Sequence, residues 1–184
     1  MESCTDEFCG PQSIASRPAP GYQLVENDSG NLSAEVPSEW NDLYTGYDGT
    51  FEGEDVDAGE GVGPAITAST DMNAWVAGDP VSGMYMLASR ELVQEFNEDQ
   101  LVDLSLSDLS PCDAGERQDF DRPPYSGKIQ TWDCRGDGST IFKLGAVPEG
   151  RECAIVLQIK TYSEAEREAA RHLLDTFEAD CKRI

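Results

Sequence analysis

A nucleophilic triad needs an imidazole to move a proton. This chain of 184 residues has a single histidine, His172, beside Leu173 and Leu174. Its helical phase, three past Ala169 and five before Phe177, places it at the edge of a buried face, as a boundary residue and not a base. No Gly-x-Ser-x-Gly nucleophile elbow occurs. One histidine also excludes a three-histidine zinc centre. No catalytic residue is assigned.

Carboxylates are the next chemistry. Between Asp48 and Glu60 the chain carries Asp48, Glu52, Glu54, Asp55 and Asp57 among glycines. Hard oxygen ligands of this kind suit Ca²⁺. In the EF-hand pattern Asp48 takes position 1 and Gly53 position 6, but Thr50 falls at position 3 and Gly59 where the bidentate glutamate belongs. The five carboxylates are therefore candidates for Ca²⁺ or Mg²⁺ set against a solvated loop, and no cofactor is assigned. Gly59-Glu-Gly61-Val-Gly63 leads into Pro64 and a strand, not a helix N-terminus, so it is not a phosphate cradle.

Arg135-Gly136-Asp137 is an adhesion-type tripeptide at a hairpin tip, where turn chemistry alone demands Gly and Asp. Asn27 and Asn31 open glycosylation sequons. Trp75, Tyr85 and Tyr47 lie near Gly-rich stretches and are candidates for a ligand groove. Trp75 leads them, between Asp71 and Gly78-Asp79-Pro80. Trp40 and Trp132 fit core positions.

Six cysteines, Cys4, Cys9, Cys112, Cys134, Cys153 and Cys181, occur without C-x-x-C spacing. That disfavours zinc ribbons and thioredoxin-type motifs, and an even count reads as three disulfides in an oxidising compartment. Cys153 opens an apolar strand to Tyr162, and a helix follows from Ser163 to Cys181. The strand advances about 33 Å and the helix returns about 27 Å, which brings Cys181 back to Cys153. Such a bridge is worth about 3–4 kcal/mol. Cys4 and Cys9 would close a small ring, and Cys112 and Cys134 remain as the third pair. Met1-Glu-Ser-Cys4-Thr-Asp-Glu7 is acidic and polar, unlike a signal peptide. The expected location is thus extracytoplasmic, with the signal segment outside this chain.

The balance of 36 acidic residues against 13 Lys and Arg gives a net charge of −23. Phosphate neutralisation needs a basic face, so nucleic-acid binding is excluded. No apolar run reaches the ~18 residues of a membrane span. Only four lysines occur, Lys128, Lys143, Lys160 and Lys182. The charge fits either plain solubility or a surface adapted to high salt.

The elements that must position these residues follow from periodicity. Residues 1–20 read as a loosely ordered arm and 21–184 as one α+β domain. Tyr22–Glu26 and Asn31–Val36 form a hairpin around Asn27-Asp-Ser-Gly30. Residues 41–63 read as a long acidic loop. Strands follow at Ala65–Ser69 and Met84–Ala88, with a helical turn at Asp71–Trp75 between them. A helix capped by Ser89 buries Leu92, Val93 and Phe96. The segment 97–111 fits helix or strand. Tyr125–Cys134, Ser139–Val147 and Glu152–Tyr162 make a three-strand antiparallel meander. The closing helix has a capping box, Ser163 with Glu166, and a face of Ala165, Ala169, Leu173, Phe177 and Cys181. The expected fold is an antiparallel sheet of about six to seven strands, packed by that long C-terminal helix and a shorter one near 89–97.

The opening Tyr22…Ser29-Gly-Asn-Leu-Ser33…Val36-Pro-Ser-Glu-Trp40 and the ending strand 152–162 into helix 163–181 with Leu174-Asp-Thr-Phe177 resemble the PsbP-like α+β sandwich. The chain is similar to such domains in actinobacterial secreted or membrane-anchored proteins, some joined to trypsin-like proteases. Segments like Ala68-Ser-Thr-Asp71 and Ala88-Ser-Arg-Glu-Leu92 recur there, as does a cysteine pair placed like Cys112 and Cys134. The resemblance spans about residues 21–181. It implies an accessory or binding module with a protein or cell-envelope partner and no shared catalytic residues. Cys4, Cys9, Cys153, Cys181 and the heavy acidity depart from it.

The functional expectation is an exported, non-catalytic binding domain. The alternatives are a metal-dependent or carboxylate hydrolase using loop 48–60, and a structural surface protein of a high-salt organism.

Overall fold

The structure, a computed structural model, describes residues 18–48, 63–104 and 109–184. Cys4, Cys9, Glu52, Glu54, Asp55 and Asp57 lie outside the described residues. The fold is mixed α+β and mostly antiparallel.

The chain opens with the expected hairpin, β1 (Tyr22–Glu26) and β2 (Leu32–Pro37). Its turn is braced by Asn27, whose Oδ1 accepts the N–H groups of Asn31 and Leu32 at 3.0 and 2.8 Å. Both sequon asparagines are buried in this brace, so their amides hold the turn.

Next come β3 (Asp42–Tyr44), β4 (Tyr47–Asp48), β5 (Gly63–Ser69), α1 (Met72–Ala77) and β6 (Gly83–Ser89). Helices α2 (Leu92–Glu95) and α3 (Glu98–Asp103) follow. The Ser89 hydroxyl accepts the N–H of Leu92 at 3.2 Å, and Asn97 with Gln100 makes a capping box that starts α3, so the first part of the ambiguous 97–111 segment, Glu98–Asp103, is helix. Short β7 (Asp113–Ala114) and exposed β8 (Gln118–Arg122) lead into the meander. The meander is β9 (Tyr125–Cys134), β10 (Ser139–Pro148) and β11 (Ala154–Thr161).

Among the described residues the large sheet runs β3-β5-β6-β11-β10-β9-β7, with β4 on β5 and β8 on β9. Its central strands carry buried apolar residues on both faces because both faces are covered. On one face Met84, Met86, Leu144, Ile155 and Leu157 pack with Val36 and Trp40 of the hairpin side and Leu173 and Phe177 of the C-terminal segment. On the other, Leu87, Val147 and Val156 meet Leu92 and Leu101 of α2 and α3. Gly145 makes the second contact possible. A Cβ there would lie 2.5 Å from Leu101 Cβ and 2.8 Å from the Glu98 carbonyl, so α3 rests directly on β10.

The closing helix α4 (Glu164–Thr176) carries the expected Ser163–Glu166 capping box. It ends at Thr176, five residues short of Cys181. Phe177 leaves the helix in extended conformation, fully buried beside Tyr125 and Phe120. The backbone then forms β12 (Glu178–Ala179), which pairs with β2 at Ser33 and Leu32, and a 3-10 turn, Cys181–Arg183. The i,i+4 pattern through Phe177 and Cys181 thus overran the helix. Those two residues are apolar because the sheet and the core take them, not because a helix face does. The small sheet β1-β2-β12 and α4 form the layer over the first face.

Two cysteine pairs are bonded, Cys112–Cys134 and Cys153–Cys181, with Cα atoms 4.2 and 5.5 Å apart. The second pairing matches the strand-and-return argument, with an extended tail supplying the length the shorter helix lacks. No helix among the described residues is long and apolar enough to cross a membrane.

Candidate functional site

On the α1–α3 face, strand register builds two rows of side chains. The first is Thr67, Tyr85, Gln158, Lys143 and Gln130, one residue from each of five adjacent strands. The second, one step along, is Ser69, Gly83, Lys160, Ile141 and Trp132. Lys160 and Ile141 of this second row line a groove of about 500 Å³, within the ~300–1,000 Å³ range of ligand sites.

Helix α1 makes one wall. Asp71 caps it by accepting the N–H of Ala74 at 3.0 Å, and Asp42 accepts that of Met72 at 2.8 Å. Gly78, at φ 78°, ends it. Apolar except for Asn73, this helix has no buried residue, and Val76 is 78% exposed. Trp75 folds back over β6, where Gly83 leaves room. A Cβ at Gly83 would lie 2.8 Å from the indole. Trp75 and Val76 both line the groove.

The opposite wall is Pro111 with the Cys112–Cys134 disulfide. The β9–β10 turn forms the end, with Gly136, Asp137 and Ser139. Asp137 Oδ1 accepts the N–H and hydroxyl of Ser139 at 2.9 and 2.7 Å. Its Oδ2 accepts the Tyr162 hydroxyl at 3.2 Å and lies 3.3 Å from Lys160 Nζ. Partial burial acts to raise the Asp137 pKa, but the bonds from Ser139 and Lys160 overcome it and bring it down to about 2. Lys160 is raised: burial opposes its charge, and Tyr162 and Asp137 outweigh the burial.

The aspartate of the Arg-Gly-Asp tripeptide is therefore committed internally, held by Ser139, Tyr162 and Lys160. Arg135, at the surface, pairs through Nε with Asp113 at 2.8 Å.

Of the three aromatics expected in a groove, Trp75 lines it. Tyr85 is buried one row inward, in the cluster against which Trp75 packs. Tyr47 belongs to β4 on the β5 edge. Of the five acidic metal candidates, Asp48 ends β4 and the other four lie outside the described residues. Among the described residues no group of three or more His, Cys, Asp or Glu side chains is placed to hold a metal.

His172 lies at the boundary, as its helical phase implied. Its Nε2 sits 2.6 Å from Glu35 Oε2, and its ring lies 4.0 Å from that of Tyr22. The pair joins α4 to β2 across the two layers.

Lys143 was not singled out by sequence reasoning. It is 2% exposed, with Nζ 5.5 Å from the Trp132 ring centre. Burial lowers its pKa to about 8, with Asp103 acting upward and Arg117 downward. The available signal was a lysine at an inward position of an otherwise apolar β10. Lys160, Ser139 and Tyr162 were missed for another reason: only the strand register brings them to Asp137.

Compared with known proteins, the chain matches no protein-family model and no curated sequence.

Proposed function

We propose that this chain is an exported, PsbP-like accessory domain that binds another macromolecule through its surface and carries out no chemistry of its own. The observation that carries this reading is the state of the titratable groups at the groove. A general base needs a free lone pair aimed at a substrate proton. Asp137 has both oxygens engaged by Ser139, Tyr162 and Lys160, which fix the groove's end wall as a recognition surface requires. On the other face of the sheet, His172 Nε2 faces Glu35.

The two bonded cysteine pairs support an oxidising compartment. The order of hairpin, antiparallel meander and closing helix supports the PsbP-like likeness.

Cell fractionation with intact-mass measurement before and after reduction tests the location. The expected result is oxidised protein outside the cytoplasm, and a fully reduced cytoplasmic chain would overturn it. Immobilised chain challenged with separated envelope components tests the binding role. Saturable retention of one component is expected. Turnover of a small substrate with no retention would sink the reading.

A further inference from the structure

The groove beside Trp75 is built on the interior of the sheet. Its floor belongs to β10 and β11, whose backbone groups pair with β9, with each other and with β6. A peptide that adds a strand needs a free sheet edge, and this floor offers none. Recognition here must come from side chains.

Those side chains are of two kinds. Val76, 78% exposed, and the half-buried Trp75, one side of whose ring rests on β6, give an apolar platform along the groove. Lys160 and Asp137 carry opposite charges 3.3 Å apart and cancel. Asp137 has no acceptor direction to spare for a cation. An anion would have to take Lys160 from Asp137 on a chain of net charge −23. Lys160 Nζ lies 3.3 Å from Asp137 and lines the groove, and an ammonium, with three donors, can serve a neutral oxygen as well as its carboxylate.

We propose that this groove binds an uncharged glycan, with a sugar ring laid on Trp75 and a hydroxyl or ether oxygen accepting from Lys160. A pyranose has an apolar C–H face and a rim of hydroxyls, which matches an indole and an ammonium donor lining the same groove. The groove is open and holds about 500 Å³, enough for a short run of rings from a polymer that continues past it. This deepens the binding-domain reading, on which it rests, by naming the class of partner.

The test uses the whole oxidised chain and defined probes: the tetrasaccharides of cellulose, chitin, starch, xylan and mannan, with an acidic galacturonate tetrasaccharide as the charged comparison. Tryptophan emission and titration calorimetry read binding. At least one neutral tetrasaccharide should bind saturably and shift the emission. Trp75→Ala should weaken it tenfold or more, and Val76→Glu, an exposed change that leaves the core alone, several-fold. Lys160→Gln should also weaken it several-fold. Leu24→Ser, on exposed β1 of the other layer, should leave it unchanged. The inference is overturned if no neutral tetrasaccharide binds, if only the acidic one does, or if Trp75→Ala and Val76→Glu bind as tightly as the parent. Each of those results leaves the location and oxidation-state experiment untouched, so the two readings fail separately.

Discussion

The ammonium of Lys143 lies 5.5 Å from the centre of the Trp132 ring, and the side chain is buried in the face covered by α3. An aromatic face offsets part of the desolvation of a cation, but not all of it. The residue therefore holds a proton less tightly in the folded chain, near pKa 8, than at its ordinary value of 10.5.

The sign of the resulting pH dependence follows. Between about pH 8 and 10.5 the unfolded chain keeps the Lys143 proton and the folded chain releases it, so this residue makes stability rise with pH, by roughly 3 kcal/mol across the window. Below pH 8 the full cost of the buried charge is present. Lys143→Met should raise stability at pH 7 and remove that rise. Urea unfolding of both chains from pH 7 to 10.5 checks it, and parallel curves would refute it.

Gly83 is a packing requirement of the groove. Alanine there would place a methyl 2.7 Å from the Ala68 carbonyl oxygen and 2.8 Å from the Trp75 ring. Gly83→Ala should cost about 1–3 kcal/mol and lift Trp75 toward solvent. A red shift of emission that Trp75→Phe abolishes would identify the moved ring.

The His172–Glu35 contact ties helix to hairpin. Removing the imidazole leaves a largely buried carboxylate oxygen without that partner. His172→Ala should destabilise by about 1–3 kcal/mol. A double-mutant cycle with Glu35→Gln checks it: coupling near zero would mean that the two side chains do not act together.

For the Cys153–Cys181 bridge, replacing both cysteines by serine removes a crosslink across 28 residues. The expected loss is about 2–5 kcal/mol, read by guanidinium unfolding. An unchanged midpoint would show that the segment is held without it.

Much of the framework was legible in the chain. The hairpin and meander announced themselves because turn residues punctuate strands whose apolar content is high. Ser163 and Glu166 marked the last helix from its capping chemistry. Its end was not legible, because Phe177 and Cys181 continue the helical spacing while packing for other reasons, a tertiary effect that no local window contains. Strands β3, β4, β7, β8 and β12 escaped for a related reason: Gln118–Arg122 is polar apart from Phe120, and the others are pieces of two or three residues, β3 and β4 within the 41–63 stretch read as a loop, each held by a partner outside its local window. At the groove, Trp75 stood out by its neighbours. Lys160 and Tyr162 did not, since their meeting with Asp137 depends on how β10 lies against β11.

The crosslink near the C-terminus also sets how the domain bears tension. A pull applied at Ile184 travels only to Cys181 before it crosses through sulfur to Cys153, at the entrance of β11. The backbone of the strand, the helix and the small tail between those two cysteines sits in a bypassed branch and cannot be drawn out by that pull, although β12 and α4 still pass force to β2 through their contacts. Stress passes instead straight toward β10 in the middle of the sheet. Stretched from its ends, the molecule would give way elsewhere first, and the 154–180 segment would keep its fold under force until that covalent strap was reduced.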